Sequence, residues 1–486
     1  MPVIAGIDSS TQSTKVVLHD ADDFTVLGVG SVPHPPTQPP VSEQDPQDWW
    51  NALVRAFDAA VAAGGVHPQD IRAVSVAAQC HGLVALDADG SVIRPAKLWN
   101  DTTSAPEMAW LLEQLPPADW ARRTGSVPTA AFTVSKLLWL RRHEPRHFAA
   151  LSTVLLPHDW LTWRLTGQTV TDRSEASGTG YFDAATGHYD TEILALVAPE
   201  VDWGTRLPAV LDPQTPAGVI TAAAGEQLGL RPGTVVGPGA GDQHASALGL
   251  GARNGDVVYV LGTSGVVFTT AGKPVRDTSG MVDGVADATG GYLPLVSTMN
   301  AAKVTDTVAR LLGVDHQEFA RLALAADADH TLTFVTYLDG ERKPNLPHAT
   351  GTVTGLTNAT TREQLARATV EGVLFGLIRG RAALAAAGAE VDGRTIITGG
   401  AGRSPAYRQM LADLTGQTVH LSPAAEPVAD GAALQALACW SGRRVCDVRD
   451  ELAPALVAHV GPRHVPDDAA YTRYLNASGW RGGDSS

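Results

Sequence analysis

One pattern occurs twice in this chain, and it constrains the fold more than any other feature. Residues 3–7 are apolar and stop at Asp8; a polar turn of Ser9, Ser10, Thr11, Gln12, Ser13 and Thr14 follows, and the apolar run resumes at 16–18. About 250 residues downstream, 257–261 form a second apolar run, Gly262-Thr263-Ser264-Gly265 a second hydroxyl-bearing turn, and 266–270 the returning run. Short apolar runs bounded by small polar residues read as strands joined in a hairpin. A hairpin that returns once, so far away, points to a duplicated architecture with one hairpin opening each half. Length agrees, because 486 residues exceed the roughly 250–300 that one hydrophobic core accommodates. The expected division is 1–245 and 246–475, with a polar, glycine-rich flexible tail at 476–486.

Helical signals alternate with the strands. Asp45-Pro46 offers an N-cap with proline at the first helical position, and Trp49, Leu53, Phe57 and Val61 then recur at four-residue spacing. Thr360 and Glu363 have capping-box spacing ahead of Leu365, Thr369, Val373 and Leu377, with Gly388 as the stop. Ser404-Pro405 repeats the cap-plus-proline signal, and Gly416 ends that helix. Strands interleaved with helices place the chain in the α/β class.

Composition excludes several functions. A formal charge of −15 disfavours nucleic acid and anionic membrane surfaces, although local amides and a cation can still hold a polyanion such as ATP. The three cysteines, Cys80, Cys439 and Cys446, form no CxxC pair and fit a reducing compartment. The N-terminus lacks the basic and apolar regions of a signal peptide, and no apolar run reaches the ~18–20 residues of a membrane span. A cytoplasmic location is expected, with a small-molecule partner, no nucleic acid or membrane partner, a homodimer as one candidate assembly, and the oligomeric state left open.

Five segments carry candidate chemistry. The loop from Asp8 to Lys15 exposes hydroxyls and amides that can cradle phosphate, with Asp8 able to hold Mg²⁺; a plain polar hairpin turn is the alternative. The turn Gly262-Thr263-Ser264-Gly265 has the same chemistry and the same alternative. Residues 394–398 read as a strand, followed by Gly399-Gly400-Ala401-Gly402-Arg403-Ser404 and a helix start, where backbone can approach a nucleotide closely. This is neither a Walker A loop nor GxGxxG. Asp242, within the small-residue run 237–249, is either a helix N-cap, a general base, or both. Gln79-Cys80-His81-Gly82 ends a strand at 74–78, where ligands of open α/β sheets bind. His143-Glu144-Pro145-Arg146-His147 fits HExxH, but Pro145 breaks the helix such a zinc site needs.

Together these segments resemble the FGGY carbohydrate kinases, and within that family the branch acting on D-xylulose. The likeness is carried, in order, by GIDSSTQSTK (6–15), SEQDPQDWW (42–50), LWND (98–101), KLLWLRRHEP (136–145), LGTSGV (261–266), YLDGERKP (337–344) and GGAGRSPAYRQMLADLTG (399–416). It implies two actin-like ribonuclease-H-type domains with an interdomain active-site cleft, ATP and Mg²⁺ as cofactors, and transfer of a phosphoryl group to the terminal hydroxyl of a small-molecule sugar partner. It implies Asp242 as base and Asp8 as the Mg²⁺-associated carboxylate. Cys80, His81, Trp99, Asn100 and Asp101 become sugar contacts. Ser10, Thr11, Ser13, Thr14, Lys15, Gly262, Thr263, Ser264, Gly400, Ala401 and Ser404 become ATP contacts. In the family's sugar motif, usually Gln-Met-His-Gly, Cys80 stands where methionine is usual. The same fold acting on ribulose, arabitol or glycerol, an actin-like ATPase, and a non-enzymatic sugar-binding regulator are the alternatives.

Overall fold

The computed structural model describes residues 1–466 and 468–479, so most of the expected tail lies outside the described residues. Residues 476 and 477 close the helix Asp468–Ala477. The chain forms two compact units, and it passes between them more than once. The first comprises 1–252, 284–293 and 424–454; the second comprises 253–283, 294–423 and the described residues from 455 onward. This differs from the single expected break at 245/246. The segment 424–454 returns to the first unit because its helix, Pro427–Ser441, packs on that unit's first strand.

Each unit is built on the same sheet. In the first, the strands Val3–Ser9, Ser13–Asp20 and Val26–Pro33 form an antiparallel meander. Ile71–Ala78 adds in parallel to Val3–Ser9, Val235–Val236 adds in parallel to Ile71–Ala78, and Gly218–Val219 closes the edge antiparallel. In the second, Val257–Leu261 and Gly265–Thr269 pair antiparallel, and residues 295–298 of the strand Tyr292–Thr298 complete the meander. Thr395–Thr398 and Val419–Leu421 then add in parallel, and Val457–Val460 closes the edge antiparallel. The matching order bears out the duplication expected from the two hairpins. Parallel neighbours need long crossovers, and helices supply them.

Local signals hold with small shifts. Asp45 accepts from the Gln47 amide at the start of Pro46–Gly64, and Trp49, Leu53 and Phe57 are buried, whereas Val61 is only partly so. Burying Leu53 and Phe57 stabilises this unit by about 1.5–3 kcal/mol each. The capping box falls one residue later than expected. Thr361 accepts from Gln364 N–H while Gln364 returns the bond, because the Thr360 hydroxyl instead accepts from Thr357 N–H. Ser404 occupies the N-cap position of Pro405–Thr415, but its hydroxyl makes no capping bond. His143 ends one helix and Pro145 begins the next, so the HExxH spacing builds no shared helical face. Among the described residues, no helix is long and apolar enough to cross a membrane.

Glycine sets the position of helix Pro427–Ser441. A side-chain carbon on Gly6 would stand 1.9 Å from the Ala429 carbonyl oxygen, and one on Gly431 would stand 1.9 Å from that of Ala245. Only glycine permits backbone contact this close, on the strand carrying Asp8 and on the helix carrying Asp242.

Candidate active site

Asp8, Cys80 and Asp242 gather at one end of the first unit's sheet, and strand register explains why. Asp8 lies opposite Ala77 in one parallel pair, and Ala240 lies opposite Ala77 in another. Asp8 and Asp242 therefore flank the end of Ile71–Ala78, and Cys80 emerges between them. This is the carboxyl end of parallel strands, where open α/β sheets place ligands.

Asp242 is the first residue of helix Asp242–Gly249, and Gly241 is its N-cap, so the N-cap reading of Asp242 is corrected by one position. Its carboxylate accepts from the Gln243 amide at 2.7 Å and from the Cys80 thiol at 3.6 Å. Asp242 is half-buried, and burial raises its pKa above the usual carboxylate range, against the pull of those two bonds. The approach to this helix is clamped from a distant segment. Gln435 accepts from Gly239 N–H at 3.1 Å and from the Ser75 hydroxyl at 2.7 Å, and donates to the Gly239 carbonyl at 2.9 Å.

Asp8 is buried, and its Oδ1 has no hydrogen-bond partner. Its pKa is pushed up to about 7, first by burial and then by Asp242, with Lys15 opposing. Lys15 in turn pairs with Glu426 at 2.5 Å, a residue that no sequence pattern singled out. In the loop, Ser10 and Ser13 are partly exposed, and the Ser10 hydroxyl donates to the Ser13 carbonyl at 3.1 Å. Thr11 accepts from the Trp99 indole at 2.9 Å and donates to Gln79 at 3.0 Å, which ties the loop to two of the other predicted segments. Thr14 departs from expectation. It is fully buried, with its hydroxyl between Ser9 and His34, so it builds the turn and offers no face to a phosphate.

The sugar-side residues also divide. His81 adopts a positive φ of 67°, bonds the Gly178 carbonyl through Nδ1 at 2.6 Å, and stacks on Phe132. A residue strained in this way at a strand end is over-determined by its surroundings, as functional positions often are. Trp99 and Asn100 are partly exposed, and Asn100 Oδ1 has no partner. Asp101 is fully buried and spends both oxygens on Lys97, the Ser42 amide and Thr103. Burial would raise its pKa, but those bonds and the Lys97 charge hold it below the usual range. Asp101 therefore anchors the loop and has no oxygen left for a sugar.

Glu175 is a further residue missed from sequence, as are Glu426 and Gln435. Asp172 caps a short helix, Arg173–Ala176, by accepting from the Ser174 and Glu175 amides, and the Ser174 hydroxyl accepts from Gly241 N–H at 3.3 Å. This brings the fully buried Glu175 beside Cys80. The cap alone marks a helix start, and nothing local announces the neighbour.

The second unit brings its two predicted loops together by the same logic. Val260 pairs with Thr398 in parallel, so both loops leave the same sheet end. Thr263 and Ser264 are exposed, and Gly400 has open space where a side chain would stand. Gly399, at φ 89°, passes so near Leu261 that a side-chain carbon would lie 2.6 Å from its carbonyl oxygen. Ala401 and Ser404 flank the short turn that follows and are partly exposed.

Comparison with known proteins gives the family of the chain. Residues 3–249 match the N-terminal domain model of the FGGY family of carbohydrate kinases, and 257–440 match its C-terminal domain model. The chain is 42% identical to a xylulose kinase of Streptomyces coelicolor, over 91% of this chain and 89% of that one. It is 35% identical to a xylulose kinase of Escherichia coli, over 96% of each. The crystal structure of xylulose kinase from Bifidobacterium adolescentis superposes with a TM-score of 0.85 at 36% identity, covering 98% of this chain and 99% of that one.

Proposed function

The chain belongs to the FGGY family of carbohydrate kinases, and from that premise we propose that it transfers the γ-phosphoryl group of ATP to the terminal hydroxyl of D-xylulose, with Asp242 as the base. The observation that carries this reading is the position of Asp242. Its carboxylate is half-buried at a helix start, fixed by the Gln243 amide and flanked by Cys80 and Asp8.

The ionised carboxylate accepts the hydroxyl proton as the sugar oxygen attacks the γ-phosphorus, and the bond to the β-phosphate oxygen breaks to release ADP. A raised pKa suits a base that must hold the proton during transfer. Cys80, His81, Trp99 and Asn100 orient the sugar, and Trp99 is held by Thr11 of the phosphate loop. Ser10, Thr11, Ser13 and Lys15 face the transferred phosphate. Gly262, Thr263, Ser264, Gly400, Ala401 and Ser404 take the remainder of the nucleotide.

A divalent cation fits beside Asp8, whose buried Oδ1 lacks a partner and whose neutral form is favoured until positive charge arrives. Mg²⁺ bound there would supply charge neutralisation between phosphate oxygens. The test is ADP release measured over D-xylulose, ribulose, arabitol and glycerol. The reading requires the highest kcat/KM with D-xylulose; a preference for another acceptor would reassign the substrate, and release that no sugar stimulates would remove the kinase reading.

A further inference from the structure

Cys80, Glu175 and His244 come from three separate segments, yet their donor atoms all lie within 4.8 Å of one another. They converge in front of Gly241. The point where a side chain's first carbon would stand there is 2.5 Å from Glu175 Oε1 and 2.6 Å from both Cys80 Sγ and His244 Nδ1. Glycine alone leaves that space open.

The donors are poorly satisfied as they stand. Glu175 is fully buried and His244 is 5% exposed, and neither carboxylate oxygen nor either ring nitrogen has a hydrogen-bond partner. Leaving such groups buried without partners is unfavourable, and native structures tolerate few of them. Burial raises the Cys80 and Glu175 pKa values well above their usual ranges and depresses His244 to about 4, so burial favours the neutral form of each. Cys80 is partly exposed, which leaves an entry path.

A thiol, an imidazole and a carboxylate form a donor set suited to zinc-like ions, whereas Mg²⁺ and Ca²⁺ favour oxygen throughout. Asp242 Oδ1 lies 3.6 Å from Cys80 Sγ but outside this donor cluster. We propose that Cys80, Glu175 and His244 form a site for a thiophilic divalent cation of the zinc class, and that the bound ion inhibits phosphoryl transfer. Binding releases the thiol and carboxyl protons to solvent, which removes the thiol's hydrogen bond to the Asp242 oxygen that would accept the sugar proton and occupies a residue that would orient the sugar. The inhibition rests on Asp242 as base; the binding does not.

Co²⁺ alone, titrated into the full chain without nucleotide or sugar, tests the binding. One equivalent should produce a thiolate-to-cobalt absorption band, which Zn²⁺ displaces. Cys80→Ser should abolish the band, and His244→Ala should weaken cobalt binding by about tenfold or more; Cys439→Ser should leave it intact. No band in the wild type, or a band that survives Cys80→Ser in a folded protein, overturns the site. Unchanged affinity in His244→Ala overturns the ligand set. The second reading is turnover at fixed MgATP. Zn²⁺ should inhibit the wild type at concentrations that leave His244→Ala active, and cobalt bound through Cys80 with turnover unaltered overturns the inhibitory half.

Discussion

The thiol of Cys80 donates to the carboxylate of Asp242 across 3.6 Å, joining the ends of two neighbouring strands. The bond stabilises ionised Asp242 against the burial that raises its pKa. Replacing Cys80 with serine keeps a donor, whereas methionine supplies none. Cys80→Met should therefore move the acid limb of kcat/KM to higher pH than Cys80→Ser does, as read from pH profiles of ADP release.

Asp242→Asn should lower kcat by roughly 10²–10⁴-fold, the usual contribution of a positioned base. ATP affinity, measured by calorimetry, should change little. Near-normal turnover in this variant would remove Asp242 from the reaction.

Asp8 gives a stability prediction with a definite sign. The unfolded carboxyl titrates near 3.8 and the folded one at about 7, so the folded state carries the extra proton between those values. The stability associated with that proton is complete below the lower value and is lost as pH rises through the upper one. Asp8→Asn removes this loss. Its unfolding free energy should exceed the wild-type value by a few kcal/mol at pH 8, at ~1.4 kcal/mol per pKa unit. Urea unfolding should show the gap narrowing toward pH 5.

Asp101→Ala should act on stability first. Lys97, itself buried, would keep only its bond to Glu43, and the Ser42 and Thr103 groups would lose their acceptor. Breaking one partner of a buried pair costs up to roughly 3–5 kcal/mol. A drop in unfolding midpoint is expected, and an altered sugar KM without that drop would restore Asp101 as a direct contact.

Gln435→Leu should lower kcat more than it raises the KM for ATP, because its three bonds hold the approach to Asp242 and none reaches the phosphate loop. Equal effects on both constants would indicate a general loss of structure.

Much of the site was legible because its signals are local. A carboxylate at the head of a small-residue turn, a glycine-rich strand end and a cap followed by proline are short patterns set by backbone sterics and capping. The misreadings are of another kind. Thr14 and Asp101 lie in the segments singled out from sequence, but their side chains are spent on His34 and Lys97, which only spatial neighbours reveal. Glu175, Glu426 and Gln435 carry no local signature, and each reaches the site from a segment remote in sequence.

The sequence by itself determined two halves, each opened by an apolar hairpin, and the loops that meet the strand ends, because hydrophobic period and turn chemistry act over a few residues. Only the tertiary structure decided that 424–454 returns to the first unit and that Gln435 clamps Gly239. It also decided that Cys80, Glu175 and His244 share one open space beside Gly241. Those outcomes depend on burial and close backbone approach between distant segments, and their energies exist only once the neighbours are in place.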